Sequence, residues 1–271
     1  MMLQNLHTHT IFSDGKNTAE EMVLGAIKSG CTSLGFSEHS PLPWGTEGWA
    51  TPAEALADYR AEILRLRNKY MDQIEIFLGL EQDMDSHTAE CDWDYLIGSV
   101  HSVWVNGERR SVDFSADYTD ETIHGCFGGD PYAYAEAYFR QVADVAKITK
   151  CQIIGHFDLV TKFNEGYRTF DETHPRYLKA ALEALDALTG TDLIFEINTG
   201  AMSRGYRTTP YPSPALLKAM KERGCRICIT SDTHSASTVL HAFDQARELA
   251  KSCGFHESWI LTKTGFIPQG I

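Results

Sequence analysis

Residues 3–9 read Leu-Gln-Asn-Leu-His-Thr-His, a short strand-like run that ends in two histidines. Two further segments have the same form. Glu38-His39 follows a second apolar run, and Ser231-Asp-Thr-His234 follows another near the C-terminus. Imidazole and carboxylate together suit borderline divalent ions such as zinc, manganese or iron. If the runs are parallel strands, their carboxyl ends meet at one face, and the sequence then predicts a hydrolase site that holds several metal ions.

The composition is that of a globular protein with an excess of acidic residues. Of the 271 residues, 43% are hydrophobic, which is enough for a sizeable core, and the formal net charge is −13. Nucleic-acid-binding proteins usually carry clustered basic residues, so this charge argues against nucleic acid as a partner. No run of 18 apolar residues occurs, and the N-terminal segment lacks a basic stretch followed by a long apolar one. We therefore expect no association with membranes and a cytoplasmic protein.

Short apolar runs alternate with amphipathic stretches along the whole chain, a pattern that predicts a parallel sheet covered by helices. The predicted strands are residues 3–7, 33–37, 74–80, 95–100, 152–156, 192–198 and 226–230, with an eighth possible at 259–261. The predicted helices are residues 18–28, 52–70, 131–147, 174–188, 213–223 and 238–252.

Seven strand-like runs suit a closed barrel better than an open sheet. We predict that residues 1–271 form a single α/β domain, a (β/α) barrel of about seven strands, with an open doubly wound sheet as the alternative. The segment after Val100 is less regular, and residues 113–129 are predicted to be a long loop that could form a lid or a pocket wall.

Candidate metal ligands lie where the predicted strands end, which is the active-site face of a parallel barrel. Because residues i and i+2 of a strand point the same way, neighbouring ligands within one motif can hold the same ion. A single ion takes four to six ligands, so this set predicts two or three ions with a bridging carboxylate. Asp14 could instead only form its turn, and Asp158 could orient a ligand histidine. The nine candidates are His7, His9, Asp14, His39, Glu81, His101, His156, Asp232 and His234.

These motifs resemble the PHP superfamily, and within it the histidinol-phosphatase family. The resemblance covers about residues 3 to 270 in matching order. Ser99-Val-His101 and Val112-Asp-Phe114 favour the phosphatase branch over the rest of the superfamily. The motifs shared with the superfamily are His7-x-His9, Ser13-Asp-Gly15, Glu38-His39, Glu81, His101, Gly155-His-Phe-Asp158 and Ser231-Asp-x-His234.

The resemblance implies a distorted (β/α)7 TIM-like barrel of the PHP type with a trinuclear metal site. It assigns His7, His9, Glu81 and Asp232 to the first ion, Glu81, His101 and His156 to the second, and Asp14, His39 and His234 to the third. It implies catalytic roles for Glu81, Asp232 and His234. The implied reaction is hydrolysis of L-histidinol phosphate to L-histidinol and phosphate by a metal-bridged hydroxide, the penultimate step of histidine biosynthesis.

The substrate contacts are predicted less directly. The family often has an arginine near Thr161, where this chain has Lys162 as the cation. Arg204 and Arg207, in the loop after Asn198, are the other candidates for binding phosphate, and Asn198 is a candidate at the end of its strand.

The alternative functions are a PHP phosphoesterase that acts on another small phosphomonoester or a nucleotide, and a metal-binding module without activity. The residues leave open which of zinc, manganese and iron is native, and the oligomeric state.

Overall fold

The computed structural model describes residues 2–86 and 92–271. The described strands are β1 Gln4–Asn5, β2 Ser33–Phe36, β3 Glu75–Asp83, β4 Tyr95–Ser99, β5 Ser102–Val105, β6 Glu108–Ser111, β7 Ile153–Ile154, β8 Ile194–Asn198, β9 Arg226–Thr230, β10 Glu257–Thr262 and β11 Gly265–Gly270. The described α-helices are α1 Ala19–Lys28, α2 Leu56–Lys69, α3 Ala116–Phe127, α4 Pro131–Val142, α5 Val145–Thr149, α6 Pro175–Leu188, α7 Gly200–Ser203, α8 Pro214–Glu222 and α9 Phe243–Ser252.

Seven strands form one parallel sheet in the order β1-β2-β3-β4-β7-β8-β9. The outer strands β1 and β9 meet just beyond their carboxyl ends. There the backbone N–H of His9 donates to the carbonyl of Thr233 at 2.9 Å, and the N–H of Thr233 donates to the carbonyl of His7 at 3.1 Å. The sheet is therefore a nearly closed barrel with surrounding helices. This confirms the predicted distorted seven-stranded barrel over the open doubly wound sheet.

Strand alternation explains why β3 carries a carboxylate into the barrel mouth. Ile76 and Leu78 pack outward against the buried faces of α1 and α2, whereas Phe77 packs inward with Tyr95 of β4. Side chains two apart on a strand share a face, so Glu81, four residues nearer to the carboxyl end, points inward like Phe77.

The predicted eighth barrel strand is wrong. Residues 257–262 form an antiparallel hairpin, β10 with β11, outside the seven-stranded sheet. The hairpin closes the amino end of the barrel: Leu261 packs in the inner cluster, and its backbone makes hydrogen bonds of 2.7 and 2.8 Å with the side chain of Gln4. The carboxyl end of the barrel is left for the polar side chains.

The segment after Val100 is more regular than predicted. Strands β5 and β6 form a hairpin, and α3 occupies most of the segment that was predicted to be a loop. The Ser115 hydroxyl caps α3 by accepting from the N–H of Tyr118, and Gly128 ends it with a φ of 62°. The buried face of α3 includes the polar residues Thr119 and Thr122. For this reason the helical spacing of apolar residues is weak in this part of the sequence.

The six predicted helices are all present with different limits, whereas the short helix α7 was not predicted. The predicted helix 131–147 is two helices, α4 and α5, and the predicted helix 238–252 begins later, as α9. Asp130 caps α4 by accepting from the N–H groups of Tyr132 and Ala133 at 3.0 and 3.2 Å. Over residues 2–86 and 92–271, none of the helices has both the length and the apolar character that a membrane span needs.

Candidate metal centre

The nine predicted ligands lie together at the carboxyl end of the barrel. Eight are in or just beyond strands β1, β2, β3, β4, β7 and β9, and Asp14 is in the turn that follows His9. This turn is held by N–H groups of Ser13 and Gly15, which both donate to the carbonyl of Thr10. Residues that are more than 200 positions apart in the chain therefore share one pocket, because parallel strands bring their carboxyl ends together. We call these nine residues the histidine pocket.

The Glu81 carboxylate lies at the centre of the pocket. Its Oε2 atom is 3.3 Å from His7 Nε2, 3.6 Å from His9 Nε2 and 2.7 Å from His39 Nδ1. Its Oε1 atom is 3.3 Å from His101 Nε2 and 3.0 Å from His156 Nε2. One carboxylate that faces two groups of imidazoles with its two oxygens has the arrangement of a bridging ligand.

Asp232 and Asp14 complete two further groups. Asp232 Oδ1 is 3.3 Å from His9 Nε2 and 3.8 Å from His7 Nε2. Asp14 Oδ1 is 3.1 Å from His234 Nε2 and 3.6 Å from His39 Nε2. The ring of His9 lies between those of His39 and His234, with centroid distances of 4.2 and 4.3 Å.

The donor atoms of the pocket suit divalent ions. Three groups bring their donor atoms within 4.8 Å of one another: His7, His9 and Asp232; His39, Glu81 and His101; and His9, Asp14, His39 and His234. Three ring nitrogens of the pocket are buried and make no hydrogen bond within the part of the chain that the structure describes, namely His7 Nε2 and both ring nitrogens of His9. Buried polar atoms without partners are costly, and coordination of a cation would satisfy them.

Two buried carboxylates hold predicted ligand histidines through the ring nitrogen that faces away from the pocket. His7 Nδ1 donates to Glu196 Oε2 at 2.9 Å, and His101 Nδ1 donates to Asp83 Oδ2 at 2.7 Å. With the proton on Nδ1, each ring presents the Nε2 lone pair to the pocket. Neither carboxylate was predicted from the sequence to have this role. Their position was the available signal: Asp83 follows Glu81 by two residues on β3, and Glu196 is in β8.

The pKa shifts of the pocket histidines follow from burial and from the charged groups around each ring. Burial by itself would lower the pKa of His7, but the carboxylates of Glu196, Glu81 and Asp232 outweigh it and raise the pKa well above the usual value. Burial, with the neighbouring imidazoles of His39 and His234, lowers the pKa of His9 to about 3. His9 is therefore neutral at pH 7, as a metal ligand must be. The negative potential at His7 favours any cation there, whether a proton or a metal ion.

Arg204 contacts the pocket directly. Its Nη2 donates to Asp232 Oδ2 at 3.1 Å, and its Nη1 lies 2.9 Å from His234 Nδ1 and donates to the carbonyl of Asp232 at 3.1 Å. The side chain keeps 28% of its surface exposed. A permanent cation thus lies beside two predicted ligands and still reaches the pocket mouth.

The other predicted substrate residues are engaged by protein groups. Asn198 is fully buried. Its Nδ2 donates to Glu196 at 2.8 Å, and its Oδ1 accepts from the N–H of Gly200 at 2.8 Å. Lys162 donates from Nζ to the carbonyl of Asp113 at 3.1 Å and lies 3.5 Å from the carboxylate of the same residue. Arg207 is buried in an ion pair with Glu172 at 2.9 Å instead of presenting a free guanidinium.

Two further acidic residues near the ligands have supporting positions. Glu38 Oε2 accepts from the N–H of Thr10 at 3.1 Å and from the hydroxyl of Ser13, so it holds the turn that carries Asp14. Burial raises the pKa of Glu38 to about 7. Asp158 accepts from the N–H of Ser213 at 3.0 Å, which is a loop contact instead of the histidine contact considered from the sequence.

Comparison with known proteins agrees with this fold. Residues 5–200 match the PHP domain family. The chain is similar to a probable histidinol-phosphatase of Deinococcus radiodurans, at 30% identity over 258 residues and 92% of each protein. It is also similar to the histidinol-phosphatase of Bacillus subtilis, at 28% identity over 90% of this chain and 98% of that protein. Its fold matches the crystal structure of a Lactococcus lactis histidinol phosphate phosphatase complexed with zinc, L-histidinol and phosphate, with a TM-score of 0.71, 22% identity and 98% of both chains covered.

Proposed function

The chain belongs to the PHP family, and from that membership together with the geometry of the histidine pocket we propose that it hydrolyses L-histidinol phosphate to L-histidinol and phosphate. It is accordingly a metal-dependent phosphoric monoester hydrolase, and its place is in histidine biosynthesis. The substrate assignment rests on its similarity to relatives named histidinol-phosphatase. A cytoplasmic location stays a prediction.

The observation that carries the proposal is the position of Glu81. Its two carboxylate oxygens lie within 3.6 Å of nitrogens from five histidines on four different strand ends. A buried carboxylate surrounded in this way has little use in packing alone. It is expected where two cations share a ligand.

We assign the ions as the resemblance implied. His7, His9, Glu81 and Asp232 would hold the first, and Glu81, His101 and His156 the second. Asp14, His39 and His234 would hold a third. Zinc is the ion named for the Lactococcus lactis protein, and manganese and iron suit the same donors. When bound, such ions lower the pKa of water towards neutrality and neutralise the charge of a phosphoryl group.

The residues of the chain then have separable roles around the substrate. A phosphomonoester dianion would be repelled by the carboxylates of Asp14, Glu81 and Asp232 unless cations balanced them. Arg204 supplies a fixed positive charge beside Asp232, and Lys162 supplies a second one in the neighbouring loop. Arg204 also restrains Asp232 through its side-chain carboxylate and its backbone carbonyl, so this side chain stays oriented towards the pocket.

A substrate panel tests the proposal. The zinc- or manganese-loaded protein is assayed for phosphate release from L-histidinol phosphate, p-nitrophenyl phosphate and several nucleoside monophosphates at equal concentrations. We expect L-histidinol phosphate to give the highest kcat/KM by at least about a hundredfold, because a site built for a polar substrate rejects analogues that leave its polar groups unpaired. A higher kcat/KM on a nucleotide would contradict the substrate assignment and leave a PHP phosphoesterase of another specificity. No phosphate release from any of them would contradict the enzyme assignment.

A further inference from the structure

Arg207 forms a buried ion pair outside the histidine pocket. The residue is 9% exposed and its partner Glu172 is 8% exposed. Arg207 Nη1 donates to Glu172 Oε1 at 2.9 Å, and the same oxygen accepts from Asn164 Nδ2 at 3.0 Å. A buried ion pair is weak evidence for stability, because desolvation of the two charges offsets much of their attraction. Its position in the fold is therefore more informative than its energy.

The same arginine nitrogen also contacts the backbone that leads into Lys162. Arg207 Nη1 donates to the carbonyl of Thr161 at 2.7 Å. This carbonyl belongs to the peptide bond between Thr161 and Lys162. It also accepts from the N–H of Asn164 at 2.9 Å, so the turn that carries Lys162 is fixed from two sides.

The contact joins two loops at the pocket mouth. We call residues 155–174, after β7, the β7 loop, and residues 199–213, after β8, the β8 loop. The β8 loop carries both Arg204 and Arg207, and the β7 loop carries Lys162. A second contact lies beside the ion pair, where the Lys162 ammonium is 5.1 Å from the ring centroid of Tyr206. A third joins Asp158 to the N–H of Ser213 at 3.0 Å.

We propose that Arg207, through its pair with Glu172, is a positioning residue that fixes Lys162 relative to Arg204, so that both cations face one phosphate group. This inference rests on the proposed phosphatase function. Arg204 is anchored to the histidine pocket through Asp232. The Lys162 ammonium contacts Asp113, whereas the backbone that carries Lys162 is held by Arg207, whose side chain starts from the loop of Arg204 and ends on the carbonyl of Thr161.

The test is a double-mutant cycle with binding as well as rate measurements. Arg207→Met, Lys162→Met and the double variant are compared with wild type in the zinc-loaded protein. The measurements are KM and kcat for L-histidinol phosphate and p-nitrophenyl phosphate, the affinity for inorganic phosphate by calorimetry, the zinc content and the Tm. Arg223→Met is the control, because Arg223 pairs with Asp186 away from these loops.

We expect Arg207→Met to weaken phosphate binding and raise KM about tenfold or more, with an unchanged zinc content, because small displacements of a binding group are costly. We also expect the double variant to be little worse than Lys162→Met, because residues that act through each other are not additive. The control should retain wild-type phosphate affinity.

Two results would overturn the inference: wild-type phosphate affinity in Arg207→Met, or fully additive effects with Lys162→Met. If Arg207→Met does not fold, Arg207→Met/Glu172→Met removes both charges together and carries the same comparison. Loss of activity on L-histidinol phosphate in the wild-type protein would contradict the substrate assignment, whereas the phosphate-binding cycle would still decide the role of Arg207.

Discussion

Glu196→Gln is expected to weaken zinc binding by the histidine pocket through a change of one imidazole tautomer. Glu196 Oε1 accepts from Asn198 Nδ2 at 2.8 Å and from the N–H of His156 at 2.5 Å. Its Oε2 accepts from Thr230 Oγ1 at 2.8 Å and from His7 Nδ1 at 2.9 Å. The glutamate thus receives four hydrogen bonds, two on each oxygen.

A glutamine side chain has a single oxygen, so it can accept hydrogen bonds in place of only one of the two carboxylate oxygens. The oxygen of the new amide should face Asn198 and His156, because both of those groups can only donate. The NH₂ group then faces Thr230, whose hydroxyl can accept, and His7 Nδ1, which must lose its proton to accept. The proton of the neutral His7 ring moves to Nε2, and the ring no longer presents a lone pair to the pocket.

The expected magnitude is a loss of about 10- to 100-fold in zinc affinity, the usual effect of removing a group that orients a metal ligand. This corresponds to about 1.4 to 2.7 kcal/mol. Turnover of L-histidinol phosphate at limiting zinc should fall in parallel.

The assay is a competition titration of zinc against a chelator of known affinity, with circular dichroism to check the fold. Glu172→Gln is the matched control, because it also neutralises a buried glutamate but lies outside the histidine pocket. It should bind zinc like the wild-type protein. A folded Glu196→Gln protein with wild-type zinc affinity would refute the reasoning.

Three other changes have expected outcomes of different kinds. His39→Ala should lower turnover sharply at limiting metal while the circular dichroism spectrum stays unchanged, and wild-type turnover would exclude His39 as a ligand. Asp158→Asn should change the pH dependence of stability. Burial and the nearby carboxylate of Glu172 raise the pKa of Asp158 to about 7. The folded wild-type protein therefore keeps a proton on Asp158 that the unfolded chain loses near pH 4. As the pH rises between these two values, the free energy of unfolding falls by at most roughly 1.4 kcal/mol per pH unit. Denaturant unfolding at pH 5 and pH 8 should show that the stability of the variant relative to wild type is greater at pH 8. An equal difference in unfolding free energy at both pH values would contradict this. Gly79→Ala should cost about 1–3 kcal/mol in unfolding free energy, because a Cβ there would lie 2.4 Å from the ring of Tyr95, and unchanged stability would mean that the barrel interior adapts freely.

The barrel and the nine clustered side chains were accessible from the sequence for a simple reason. Strand-forming apolar runs are local, and the rule that parallel strands present their carboxyl ends at one face is general. His7, Glu81 and Asp232 could therefore be brought together without knowledge of any distance. The limits of the strands were less certain: β7 has only two residues, against five predicted.

Features that depend on packing between distant residues could not be predicted in this way. The partner of His7 Nδ1 is Glu196, which is 189 positions away, and nothing in either local pattern specifies the contact. Arg207 was assigned to substrate because an arginine in a loop beside the site commonly meets phosphate, whereas its buried partner Glu172 is 35 positions away.

The misplaced eighth strand had a local signal. The apolar run at 259–261 resembles a barrel strand, but Gly265 follows it closely and has a φ of 111°. A glycine in that conformation marks the turn of a hairpin, and the predicted strand is one arm of it.

The most direct test of the proposed function is the metal dependence of phosphate release from L-histidinol phosphate. The purified protein is stripped with a chelator, assayed, and then titrated with zinc, manganese or iron(II) while the bound ions per chain are counted. We predict that activity is lost on stripping and returns as two or three ions bind per chain. Undiminished hydrolysis by the stripped protein, or none after the histidine pocket has been reloaded, would contradict the claim that this pocket is a metal-dependent phosphatase site.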